Sequence, residues 1–233
     1  MTTPDRPVKT DGDVISVFGA AGAGKSMLLA RSLVRDWRND RQIVALDVTA
    51  SLGNYAQNIY HLPPDAISFA TSAKEAFARI GRSRFIVMHP GRESTIRAIA
   101  DDWLTVASTM ERGTVYAVDE SELTFPNHEK PIDDDRQLRL AMLARNNGIR
   151  LYLAGKRPQK VHIDFREVST DVVVMHLDSE RAVTYGCQPW GEPRAFLPCL
   201  QLPRFAALYR GRFSNGSITR VTDSRQWELP WPA

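Results

Sequence analysis

The sequence has little that would tie it to a membrane, a metal cluster or an oxidising compartment. Among its 233 residues are two cysteines, Cys187 and Cys199, with no CxxC and no histidine spaced to join them. Neither a zinc site nor a disulfide framework is expected, and both thiols read as reduced and structural. No run approaches the ~18 consecutive apolar residues of a membrane span. The opening MTTPDRPVKTDGD is polar and holds no signal-peptide core, so the expectation is a soluble, intracellular protein. An excess of one charge is also missing: 30 basic residues against 27 acidic give +3, too mild to require a polyanionic partner by itself. Internal repeats and low-complexity tracts are absent. With 43% hydrophobic and 24% charged residues, disordered, collagenous and coiled-coil chains are excluded. The length suits one sheet covered by helices.

What is present is an alternation of strand and helix patterns. Residues 14–18 form an apolar run, followed by a glycine and alanine stretch and then by an amphipathic segment in which Leu29, Leu33 and Trp37 recur at i, i+4 and i+8. Further strands are expected at 43–48, 84–88, 114–118, 149–153 and 172–177, and helices at 72–80, 93–110 and 134–147. Ser72 and Glu75 have the spacing of a capping box. Strands separated by helices imply an α/β fold with a mostly parallel sheet. Beyond residue 181 prolines and tryptophans become frequent, and Asn215-Gly216 lies between 205–212 and 218–221, the pattern of a small C-terminal β-hairpin. The expected division is a polar lead over 1–13, a core over 14–180, and an extension over 181–233 with the hairpin and a Trp/Pro tail, an arm or a frayed end.

Gly19-Ala20-Ala21-Gly22-Ala23-Gly24-Lys25-Ser26 matches GxxxxGK[ST] in full, after a buried strand and at the start of a helix that continues with Met27. Small residues let successive backbone N–H groups turn inward around phosphates, and the helix directs its positive end at them. Lys25 is expected on the β and γ phosphates of ATP and Ser26 on Mg²⁺. Val115-Tyr116-Ala117-Val118-Asp119-Glu120 is a buried strand ending in two carboxylates. Asp119 is placed to hold the Mg²⁺ shell, and Glu120 to polarise a water in line with the γ-phosphate.

The order of phosphate loop, intervening strand and acidic strand resembles the RecA-like (ASCE) division of P-loop NTPases. Within it, Asp119-Glu120, a helix ending Leu143-Ala144-Arg145-Asn146-Asn147-Gly148, and Leu151-Tyr152-Leu153-Ala154-Gly155-Lys156-Arg157-Pro158 resemble the HerA/FtsK superfamily of DNA-pumping ATPases. Asp47, Gly53 and Tyr55 are similar to that family's second-strand signature. The family reads Thr-Gln-Arg-Pro where this chain has Gly155-Lys156-Arg157-Pro158. Lys156 therefore either touches the γ-phosphate in place of the sensor glutamine or marks sensing moved elsewhere. The resemblance implies a homo-oligomeric ring, pentamer or hexamer, completed between subunits by an arginine finger at Arg145, with Arg150 as the alternative.

The same resemblance implies translocation of double-stranded DNA, in a virus the packaging of its genome, in host cytoplasm or virion, with capsid or portal-vertex proteins as partners. Two alternatives stand beside it: an ATPase for filamentous-virus assembly or secretion, and a non-motor nucleotide-dependent switch or scaffold. Six bases against one acid between 145 and 166 imply a local basic face, equally readable as a solvated surface. The loop over 121–131, with Phe125, His128 and Lys130, follows the acidic pair and is positioned to couple hydrolysis to a polymer.

Overall fold

The computed structural model describes residues 12–92, 94–109, 112–127, 134–144 and 148–225. In chain order the main elements are β1 Asp13–Phe18, α1 Lys25–Arg38, β2 Gln42–Leu46, α2 Ser51–Asn58, β3 Ile67–Ala70, α3 Ala73–Arg79, β4 Phe85–Met88, α4 Ile96–Ala107 and β5 Thr114–Val118. There follow α5 Ser121–Thr124, α6 Asp135–Leu143, β6 Arg150–Gly155, α7 Ile163–Glu167, β7 Asp171–Met175, α8 Glu180–Gly186, β8 Ala207–Arg210 and β9 Ile218–Val221. The strands form one sheet ordered β3-β4-β2-β5-β6-β1-β7-β8-β9. Every pairing from β3 to β7 is parallel, and β7–β8 and β8–β9 are antiparallel.

Alternation within the strands builds a core on each face, as strands covered on both sides require. Val14 and Phe18 of β1, with Tyr116 and Val118 of β5, point to the side holding Trp103, Phe125, Phe165, Trp190 and Phe196. Ile15 and Val17, with Val115 and Ala117, point to the side holding Leu28, Leu29 and Leu33 of α1 and Leu52 and Ala56 of α2. The expected amphipathic helix after the glycine stretch is α1, and its apolar stripe is what seats the phosphate loop on the sheet.

Several elements differ from the sequence reading. β3 was not expected: four residues behind Pro63 and Pro64 are too short to show a period, and Phe69 on this edge strand is exposed. α2 was not expected as a helix, because its cap comes from outside it. The Asp47 carboxylate, at the end of β2, accepts from Ser51 N at 3.1 Å and Leu52 N at 2.7 Å. Ser72 does cap α3, accepting from Glu75 N at 3.3 Å, but the Glu75 carboxylate returns to Thr71 N, 2.9 Å, one residue earlier than a capping box would place it. The hairpin forms with a 3-10 turn at Arg212–Ser214 rather than a two-residue turn. It is anchored to the sheet by buried Asp171, which accepts from Tyr209 Oη at 2.6 Å and Arg212 Nε at 3.1 Å. A Cβ on Gly211 would lie 2.2 Å from Asp171 Oδ1, so only glycine fits there.

Arg150 is not placed to act as a finger. It is buried, donating to Asp13 Oδ2 from Nε at 3.1 Å and Nη2 at 2.9 Å, and to Asp36 of α1. Removing one member of such a buried network leaves an uncompensated charge, which typically costs about 3–5 kcal/mol. Arg166, read from sequence as part of a basic face, is also buried. It donates to the carbonyls of Val161, Tyr185 and Gly186 at 3.0 Å each. Cys187 and Cys199 are buried thiols, and burial raises both above the ordinary thiol value, Cys199 to about 11.

Candidate nucleotide site

The phosphate loop leaves β1 at Phe18 and is tied at its start to the two flanking strands: Gly19 N donates to Gly155 O at 3.2 Å and Ala20 N to His176 O at 2.7 Å. Gly19 must be glycine because a Cβ would meet Met175 Cβ at 2.8 Å. Gly22 and Gly24 take positive φ, 77° and 112°, which turns the loop over before α1 begins. Ala21 and Gly22 are exposed, Gly19, Ala20, Ala23 and Lys25 are buried, and Gly24, Ser26 and Met27 are intermediate. Lys25 Nζ reaches back across the loop to Ala20 O at 3.1 Å. Burial lowers its pKa from the ordinary lysine value, against the opposing pull of Asp119, Glu120 and Glu122.

β5 delivers the acidic pair to the same place. Ser26 Oγ donates to Asp119 Oδ2 at 2.8 Å, and Asp119 Oδ1 accepts from Glu120 N at 3.2 Å. Burial pushes the Asp119 carboxyl up to about 6 even though the Ser26 hydrogen bond favours its charged form. A hydroxyl and a buried carboxylate short of positive partners are hard oxygen donors of the kind Mg²⁺ takes while keeping waters and phosphate oxygens in its shell. Ser26 and Asp119 therefore fit that ion. Among the described residues no group of three or more His, Cys, Asp or Glu side chains forms a metal site of protein ligands alone. Glu120 sits in the left-handed region, φ 64° and ψ 53°, at the turn from β5 into α5. That conformation costs a non-glycine residue on the order of 1 kcal/mol and is held by its surroundings.

Lys156, at the end of neighbouring strand β6, closes the far side. Its Nζ lies 3.0 Å from Glu120 Oε1, and this bond to Glu120 raises the Lys156 pKa. The Lys156 backbone N donates to Glu122 Oε1 at 3.0 Å. Glu122 is half-buried, its Oε2 has no hydrogen-bond partner among the described residues, and burial raises its pKa. Its carboxylate fills the space beside Gly155, where a Cβ would lie 2.5 Å from Glu122 Oε2. The departure from Thr-Gln to Gly155-Lys156 is thus matched by a third carboxylate, which the sequence reading missed. A glutamate two residues past an acidic pair was its only signal.

On the other side of the loop, beside β7, a hollow of about 400 Å³ is lined by Ala21, Gly22, Ala23, His176, Leu202 and Arg204. Two of these residues belong to the C-terminal extension, and the next residue locks that extension to the loop. Phe205 N donates to Ala23 O at 3.1 Å, and a Cβ on Gly24 would fall 2.6 Å from the Phe205 ring. Arg204 and Arg225 each place a guanidinium 4.6 Å from the centroid of that ring. Nothing in the sequence pattern announces this contact, because it joins residues about 180 positions apart with no motif at either end. The structure therefore gathers residues 19–27, Asp119, Glu120 and Lys156 into one site. Arg145, the expected finger, and His128 and Lys130 of the loop after β5 lie outside the described residues.

No family model matches the chain, and no curated protein matches it in sequence. Solved structures do. The genome packaging NTPase B204 of Sulfolobus turreted icosahedral virus 2, in complex with AMP, superposes with a TM-score of 0.68 at 14% identity, covering 92% of this chain and 98% of that one. The DNA-packaging ATPase B204 of Sulfolobus turreted icosahedral virus gives 0.63 at 12% identity, covering 91% and 97%. The pCW3 conjugation coupling protein TcpA, with ATPγS, gives 0.58 at 12% identity, covering 93% and 62%. These likenesses show the fold: the chain has the P-loop NTPase fold of viral packaging ATPases, mostly parallel with an antiparallel C-terminal hairpin. Among the described residues no helix is long and apolar enough to cross a membrane.

Proposed function

We propose that the chain hydrolyses ATP and uses it to move double-stranded DNA, as the genome-packaging motor of a virus, assembled as a homo-oligomeric ring. The observation that carries the catalytic part is the 2.8 Å contact between Ser26 Oγ and Asp119 Oδ2, which joins two sequence-distant halves of one nucleotide site with Glu120 beside them. The fold shared with viral packaging ATPases and a conjugation coupling protein supports the DNA part.

In this reading the triphosphate lies along the loop from Gly19 to Lys25, with Lys25 on its terminal phosphates. The γ-phosphate faces Asp119 and Glu120 on the β5 side, so the base points the other way, toward Leu202 and His176. Mg²⁺ held by Ser26 and Asp119 would neutralise charge on the β and γ oxygens. Glu120 accepts the proton of the attacking water. Glu120 Oε1 lies 3.0 Å from Lys156 Nζ, so in this reading Lys156 exchanges that carboxylate for the γ-phosphate and leaves Glu120 free to act as base. Arg145 reaches a neighbouring subunit's γ-phosphate, and the 181–233 extension works as part of the ATPase unit.

ATPase rate with and without duplex DNA, measured alongside particle size in solution, tests the proposal. Turnover that rises with duplex DNA in a ring-sized particle is expected. Hydrolysis indifferent to DNA would favour the non-motor switch, for which the Lys156–Glu120 pair is the supporting observation.

A further inference from the structure

The six bases between 145 and 166 do not form one face. Arg150 and Arg166 are buried in structural networks, Lys156 is paired with Glu120, and Arg145 lies outside the described residues. Arg157 and Lys160 remain. The fold brings them to a third cation that the sequence separates from them by a helix and a strand, Arg181 at the start of α8. The three line a cavity of about 780 Å³ together with Asn127, Gln159 and Tyr185.

All three cationic side chains are on exposed residues, and among the described residues none is within ion-pair distance of a carboxylate. Three like charges around one opening repel one another, and the arrangement is relieved by anions brought from outside. The other walls come from Asn127, Gln159, Ser179 and Tyr185. Asn127 Nδ2 is anchored on Gln159 O at 2.9 Å, and among the described residues the buried Gln159 Oε1 has no hydrogen-bond partner. The Arg181 guanidinium lies 5.8 Å from the Tyr185 ring centroid, which steadies the cation while the ring stays 61% exposed. The cavity is far larger than one phosphate and has separate cations along it, so it suits a chain of regularly spaced anions.

We propose that this cavity seats the phosphodiester backbone of DNA, with Arg157, Lys160 and Arg181 each neutralising a phosphate, independent of sequence. The inference rests on the DNA-moving reading above and adds where the polymer lies. It also places the polymer next to the chemistry, since Arg157 follows Lys156 directly in the chain.

The test is anisotropy of a fluorescein-labelled mixed-sequence duplex with the full chain and a non-hydrolysable ATP analogue, across a salt series. The triple variant Arg157→Ala/Lys160→Ala/Arg181→Ala is expected to bind every duplex more weakly and to show a log–log salt slope shallower by roughly 2–3 units, about 0.9 per lost phosphate. The variant Arg157→Lys/Arg181→Lys, with Lys160 intact, should keep the slope. ATP hydrolysis without DNA should stay at the parent level in both, which also shows that they fold. If the parent chain binds duplex and the triple variant matches its affinity and slope, the site is wrong while the DNA-moving reading stands. If the parent binds no nucleic acid but retains polyglutamate through these residues, both the occupant and that reading fall.

Discussion

Lys156 Nζ rests 3.0 Å from Glu120 Oε1, so the carboxylate proposed to activate water is held by a cation at the end of the adjacent strand. The Lys156 side chain is 49% exposed, and a pair this open is worth no more than about 1 kcal/mol. An arriving γ-phosphate, carrying more charge than one carboxylate, can draw the lysine away. Lys156→Ala is therefore expected to reduce turnover by roughly tenfold through loss of a charge-assisted contact to the transferring phosphate, and Lys156→Gln to retain most of it. Steady-state kcat of the two variants decides this, and a faster Lys156→Ala enzyme would mean that the lysine only restrains Glu120.

Lys25 and Glu120 should fail in different ways. Lys25→Ala is expected to abolish nucleotide binding, measured with a fluorescent ATP analogue. Glu120→Gln should still bind ATP, with turnover down by a factor of about a hundred or more. Equal loss of binding in both would remove the division between holding phosphate and activating water.

Asp119 gives a pH signature whose sign is fixed by burial. Its folded pKa is raised from 3.8 to about 6, so between those values the native state holds more protons than the unfolded state. The contribution of this group to stability then falls as pH rises through that window, by at most about 3 kcal/mol at ~1.4 kcal/mol per unit. Denaturant titrations of nucleotide-free protein at pH 4 and pH 7 should show this difference between the parent and Asp119→Asn, which lacks the titration. Mg²⁺ binding with ATP should weaken below about pH 6 in the parent, where the carboxyl is protonated.

Gly155 and Glu122 should behave as a coupled pair. Gly155→Ala places a Cβ 2.5 Å from Glu122 Oε2 and 2.8 Å from Ser121 Oγ, an overpacking expected to cost about 1–3 kcal/mol. Adding Glu122→Ala opens that space and should recover part of the loss. A double-mutant cycle with no coupling would show that the two side chains do not compete for the same volume.

A finger at Arg145 implies complementation between subunits. Arg145→Ala subunits, with intact Lys25 and Glu120, mixed with Glu120→Gln subunits should regain hydrolysis that neither has alone, because a finger contributes about a thousandfold. Mixed rings that form and stay inactive would assign the residue to its own subunit.

What the sequence makes legible follows the range of the forces involved. The glycine pattern of residues 19–24 is dictated by local backbone geometry, and the run ending in Asp119-Glu120 by burial of one strand, so both can be read without a fold. α2 could not be, because its cap is Asp47, just past the end of the preceding strand. The basic stretch misleads for a similar reason: a string of arginines does not say which of them meets a buried partner, as Arg150 and Arg166 do. Glu122 acts through Gly155 and Lys156, and Phe205 through Ala23 and Gly24, none of them a sequence neighbour, and no spacing rule reaches that far.

The clasp between Phe205 and the phosphate loop gives the C-terminal segment a mechanical role. Ser224 N bonds Phe205 O at 2.7 Å, and Arg31 of α1 holds the Arg225 carbonyl, so the last described residues grip both the loop and the helix that begins with Lys25. A load applied at residue 225, by a vertex protein or a tether, enters the molecule where the phosphates would lie. If the chain is the motor proposed above, tension there would reach the phosphate loop and α1 through these contacts as well as the sheet through β9, and resistance to the cargo would be felt as a change in the hold on ATP.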